Sequence, residues 1–126
     1  MNPTDLLTSV AAHIDPRYGT GTTKVWYMKP DFFRDGNMGH EWLVERNLVP
    51  SLATIEKTHT LVGTLDVSDP EDAYQMMQGE NWSPRGEARG LIAGLGLQHT
   101  SMSVGDIVES AGVLFLVEGG GFKRLP

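Results

Sequence analysis

The segment His99-Thr100-Ser101-Met102-Ser103 and the nearby Asp106 hold the residue types of a hydrolytic triad. A histidine set between a carboxylate and a serine hydroxyl can remove the hydroxyl's proton and make it a nucleophile. In this chain that chemistry falls to His99, Ser101 and Asp106, and it would make a small hydrolase. Closeness along the chain is not triad geometry, however. No Gly-x-Ser-x-Gly elbow is present to expose a strained serine. The competing reading is structural: Ser103 and Thr100 tie down a turn, and Asp106 caps backbone amides. We take the structural reading as the leading one.

Other chemistry-bearing residues are weaker. His13, His40, His59 and His99, with Asp15, Glu41 and Glu45, supply metal-ligand types. None stands in a His-x-x-x-His or His-Glu-x-x-His pattern, so no metal is expected. The tract Gly119-Gly120-Gly121-Phe122-Lys123-Arg124 offers amides and two cations to a phosphate. It lacks the Gly-x-x-x-x-Gly-Lys-Ser/Thr pattern, and it reads as a chain reversal. No cofactor is expected. Cysteine is absent, which excludes disulfides and thiol nucleophiles. Aromatic residues are enriched at recognition surfaces, and Trp82, Phe32 and Trp42 are the candidate binding residues. Trp82, between Asn81 and Ser83, is the one expected to be exposed.

The elements that would position these residues can be read from the chain. Its 126 residues suit one domain with one core. Asn2, Pro3 and Asp5 open a helix carrying Leu6, Leu7, Val10, Ala11 and Ile14 at helical spacing. Residues 1–22 form this appendage and a flexible link, Tyr18 to Thr22; the appendage packs on the domain or on a second copy of it. Residues 23–126 are a single α+β domain. Its first strand is Thr23 to Met28, and His40 to Asn47 is a short helix. The second strand is Thr58 to Val67, with His59, Leu61, Gly63, Leu65 and Val67 sharing one face. Gly63 marks a bulge or a close approach by another element. Ser68 caps a helix through Glu71, and a second helix carries Ala88, Leu91, Ile92 and Leu95, ending at Gly96. Gly86, Gly90 and Gly94 either accept a close backbone or leave this helix marginal. The last quarter is a β-hairpin turning near Ser110 to Gly112, followed by a short return in which Phe122 is buried. The expected fold is a small, mostly antiparallel sheet with helices packed on one side. Val113, Phe115 and Val117 alternate with Leu114 and Leu116, a pattern typical of a strand that is central or covered on both sides.

The net charge of −6 and pI near 5.0 disfavour binding to phosphate backbones, so no nucleic acid is expected. No apolar run is long enough to span a membrane. The opening residues lack the basic region of a secretory signal, and a cytoplasmic location is expected.

The run Ser103-Val-Gly-Asp-Ile-Val108, preceded by His99, and the closing Gly121-Phe-Lys-Arg-Leu125 resemble the YodL-like family. There a His-Ser-Leu-Ser-Val-Ser-Asp-Val-Val stretch precedes a strand and a closing Gly-Phe. Val25 to Met28, Phe32, Phe33 and Glu71 to Tyr74 fall where that family has similar features. The likeness runs from Lys24 to Leu125. It implies an accessory protein of a plasmid, phage or other mobile element, and it implies no reaction. The expected function is that of a non-enzymatic module acting by protein–protein binding, with the hydrolase as the alternative.

Overall fold

The computed structural model describes Leu7 and residues 10–126, with the side chain of Thr20 set aside. Residues 1–6, 8 and 9 lie outside the described residues, and with them the expected capping by Asn2, Pro3 and Asp5. One sheet of five strands forms the centre, ordered β2-β1-β3-β4-β5 with every pairing antiparallel. The strands are β1 (Tyr18–Met28), β2 (His59–Leu65), β3 (Ile107–Ser110), β4 (Val113–Glu118) and β5 (Gly121–Arg124). The α+β class and the C-terminal hairpin are thus as expected.

Strand β1 owes its central place to its residues. Val25 and Tyr27 point into one apolar cluster, Trp26 and Met28 into a second, as period-two alternation requires. The first cluster lies under α4 (Pro70–Met76), α5 (Gly79–Trp82) and α6 (Arg89–Gly94), which supply Ala73, Trp82 and Leu91. The second is closed by the β1–β2 crossover. This segment holds a 3-10 turn (Pro30–Phe32), α1 (Phe33–Gly36), α2 (His40–Glu45) and α3 (Ile55–Thr58), which supply Phe32, Leu43 and Ile55. Helices therefore cover both faces of the sheet, where helices on one side were expected. The cause is visible in β4, where Val117 enters the first cluster while Leu114 and Leu116 enter the second.

The flexible link expected over 18–22 is instead the start of β1. Tyr18 is buried and its hydroxyl donates to Met76 O. Tyr18 and Thr23 both stand opposite Leu65, so the residues between them arch out of the ladder. The helical residues Leu7 and Ala11 are fully buried in the first cluster of their own chain. A Cβ on Gly63 would collide with Leu7, which explains the glycine. Both readings of Gly63 hold, because the pairing also slips there: Val25 faces Gly63 and Trp26 faces Leu61. The bulge reverses the phase of β2, so Val62 and Leu65 join the first cluster and Leu61 the second.

Two local expectations need correction, those on Ser68 and Phe122, and the alternatives left for Gly90 and Gly94 are decided. The cap of α4 is Asp69, whose carboxylate accepts from Glu71 N at 2.9 Å, with Pro70 following; Ser68 is not the cap. No atom approaches within 4 Å of a Cβ built on Gly90 or Gly94. Close packing does not explain them, and α6 is a short helix ordered by Leu91 and Ile92. Phe122 is half-buried on the edge strand β5, with its ring against Tyr74. The residue that closes the core is Leu125, 4% exposed, whose amide donates to Leu114 O.

Sequence reading alone assigns Phe122→Ala a cost of about 3–5 kcal/mol. The structure reverses the ranking. Leu125→Ala is expected to cost about 2–4 kcal/mol and Phe122→Ala less, as read by urea unfolding of the two variants side by side.

Candidate functional site

The segment 99–106 crosses the end of the sheet where β1 finishes. It is fastened on one side to the α4–α5 junction. Met102 N donates to Met77 O at 3.1 Å, and Gly79 N to Ser101 Oγ at 2.8 Å. Thr100 O accepts from Tyr27 Oη at 2.7 Å and from Trp82 Nε1 at 3.1 Å. On the other side it is fastened to β4, by Gly105 N to Val117 O and Val117 N to Asp106 O, both 2.9 Å.

Asp106 is the centre of this arrangement and is fully buried. Its Oδ1 accepts from Met28 N at 2.7 Å; its Oδ2 accepts from Ser103 N and from His99 Nε2, each at 2.8 Å. The side chain thus joins the end of β1, the 103–106 turn and the His99 ring. Burial pushes its carboxyl above the usual carboxylate range, and the three donors pull the other way without cancelling that shift.

His99 is held as tightly as its partner. Its ring stacks on Tyr27 at 4.7 Å between centroids and 16° between planes, and Phe33 meets it edge-on at 5.3 Å. Nε2 carries the proton donated to Asp106. No hydrogen bond among the described residues reaches Nδ1, and no buried side-chain nitrogen or oxygen there lacks a partner. Nδ1 is therefore the solvent-facing atom of a ring whose side chain is 14% exposed.

His59 was missed as a site residue, although alternation along its strand places it on an apolar face. It is buried against Phe32. Its Nε2 donates to Gly105 O at 2.8 Å, which leaves Nδ1 to accept from Thr58 Oγ1 at 2.7 Å. Burial lowers its pKa to about 4, with the Gly105 bond opposing. Gly105 itself cannot be replaced by another residue at this site. Its φ is +97°, and an added Cβ would strike Met28 Sδ and the Gly36 carbonyl.

Of the triad candidates, the structure joins His99 and Asp106 but directs Ser101 elsewhere. Ser101 Oγ accepts from Gly79 N, and Ser103 Oγ donates to Ser101 O at 2.9 Å. The dyad could act as a general base only on a group brought to Nδ1 from solvent. Among the described residues no three His, Asp or Glu side chains gather as metal ligands. No helix there is long and apolar enough to cross a membrane.

The aromatic candidates also move. Trp82 is 0% exposed and lies in the first cluster, so it offers no recognition surface; it fills the core because α5 turns its ring under the sheet. Phe32 is buried in the second cluster. Trp42 is half-buried, its Nε1 donating to Asp35 Oδ1 at 3.2 Å while Arg46 sits 3.2 Å above the ring centroid.

Two outcomes follow. Asp106→Asn keeps the shape but sets an amide donor against Ser103 N or His99 Nε2, and should cost about 2–4 kcal/mol in urea unfolding. Acid should act through His59. Its folded pKa lies below the ordinary 6.5, so the unfolded chain takes up the proton first. The stability His59 contributes is complete above about pH 6.5 and lost as pH falls toward 4, by about 3 kcal/mol in all. Asp106, with its raised carboxyl, has the opposite sign. A His59→Gln variant should therefore lose less stability over the same range than the native chain.

Comparison with protein-family models, with curated proteins and with solved structures finds no match.

Proposed function

We propose that this protein is a non-enzymatic accessory module that acts by binding another protein. One observation carries the reading: the residues suited to catalysis hold the chain together. Asp106 accepts three hydrogen bonds, from the Met28 and Ser103 amides and from the His99 ring, and the Ser101 hydroxyl anchors the amide of Gly79. Catalytic groups need a vacant position beside them for the reacting atom. The clefts on this surface that are lined by Tyr74 and Phe122, by His40 and Lys123, and by Leu48 and Lys57 do not include His99, Ser101 or Asp106. The resemblance to YodL-like domains supports a setting on a plasmid, phage or other mobile element, and the acidic balance supports a protein rather than a nucleic-acid partner.

A second reading keeps one observation in its favour. The His99–Asp106 bond of 2.8 Å with a solvent-facing Nδ1 would serve as the base half of a hydrolase. The two readings separate in one experiment on the purified chain and His99→Gln. A binding module gives no turnover on ester, amide and phosphoester panels, and the native chain and the variant retain the same stoichiometric protein from the host extract. Turnover that disappears in a His99→Gln variant with an unchanged fold would establish the hydrolase instead.

A further inference from the structure

The sheet ends at β5, and the backbone of that strand is only partly used. Leu125 N donates to Leu114 O, which makes Leu114 and Leu125 a bonded pair of the antiparallel ladder. Bonded pairs alternate along such a ladder, so Leu116 with Lys123 and Glu118 with Gly121 are bonded pairs as well. Val117 agrees with this phase, since its amide and carbonyl turn the other way, to Asp106 O and Gly105 N. The amides and carbonyls of Phe122 and Arg124 therefore face away from β4, where no further strand follows among the described residues. At the opposite edge β2 has its own chain beside it, with Asp66 N donating to Arg17 O and Leu7 against Gly63. Lys123 and Arg124 are exposed and alternate onto opposite faces, opposite Leu116 and Phe115. Neither joins an ion pair among the described residues, although Glu118 lines the same cleft as Lys123.

We propose that β5 takes an added strand, an extended acidic segment of the protein partner. The free backbone sets the shape of what binds. Donors and acceptors in a row at strand spacing are matched by another extended chain. The charges set its composition. Lysine and arginine on an edge strand guard it against like strands, and two β5 strands paired across a two-fold axis would bring their cations together. That excludes a second copy of this chain as the occupant. An acidic strand instead gains an opposite charge across the pairing on each face. The net charge of −6 repels such a segment from the rest of the surface and so confines it to this edge. The inference rests on the binding-module reading and names the shape and charge of the partner's segment.

The test is amide NMR with hydrogen exchange on the isotope-labelled chain. The probes are capped Thr-Glu-Val-Glu-Thr, the same peptide with lysine for glutamate, and the acidic peptide N-methylated at alternate residues, which keeps its charge and loses its edge donors. In the free chain the Phe122 and Arg124 amides should exchange much faster than those of Lys123 and Leu125; equal protection would overturn the free edge. The acidic peptide should shift and protect the Phe122 and Arg124 amides in a saturable way, and the lysine and N-methylated peptides should not. Arg124 is exposed, so Arg124→Gln leaves the core intact; it should weaken the acidic peptide by about threefold, the size of one cross-strand ion pair. Equal binding of the lysine or the N-methylated peptide, or no binding of the acidic peptide up to tens of millimolar, would overturn the assignment. Protection of the same two amides that rises with protein concentration alone, with a dimer mass in sedimentation, would overturn it in favour of a second copy. If the acidic peptide fails while a stoichiometric partner still co-purifies, the edge assignment falls and the module reading stands.

Discussion

One buried carboxylate holds the parts of this structure in register. Asp106 has no exposed surface and accepts from the last amide of β1, from the turn before β3 and from His99. Taking a carboxyl out of water is costly, and it is tolerated only where donors replace the lost hydration. Here the donors come from segments far apart in sequence, so satisfying the carboxylate also brings those segments together. His99 is then caught between Asp106, Tyr27 and Phe33, and Tyr27 and Trp82 both reach Thr100 O. The segment between α6 and β3, which contains no regular element after residue 94, is fixed in this way.

The same arrangement explains why the sheet can be covered on both faces by short elements. None of the described helices exceeds the seven residues of α4, and such helices are not stable alone in water. They are ordered by what they bury: Leu43 and Ile55 on one face, Ala73, Met76, Leu91 and Ile92 on the other. The crossover from β1 to β2 returns to the sheet edge through His59, whose ring bonds Gly105 O next to Asp106. Two histidines therefore approach the same turn from opposite sides, one bonding the Gly105 carbonyl and the other the Asp106 carboxylate.

Much of the framework was legible in the sequence, because it depends on period and on turn chemistry. The Ala111-Gly112 turn, with φ of 52° and 76°, is the tight hairpin that a two-residue connection demands. The two-faced pattern of β4 marked it as central or covered on both sides, although helices were expected on one side only, and Asp106 as a capper of amides was visible from its place in a Ser-Val-Gly-Asp turn. What could not be read was tertiary. Trp82 sits in a polar local context and is fully buried, since burial depends on where α5 is carried by its neighbours. Tyr18 lies in a glycine-rich stretch that reads as a link, yet pairing with β2 makes it strand. The phase reversal at Val62 arises from the bulge, which no alternation rule reveals. His59 and Tyr27 become site residues only because the 99–106 segment returns to them.

Asp106 clamps the end of β1 and the 103–106 turn as one unit. The most direct measurement is native-state hydrogen exchange at the Met28 and Ser103 amides, which donate to this side chain. Both should exchange only through global unfolding, with the same free energy as the central amides of β1. Exchange of either through a local opening, much faster than those amides, would contradict it.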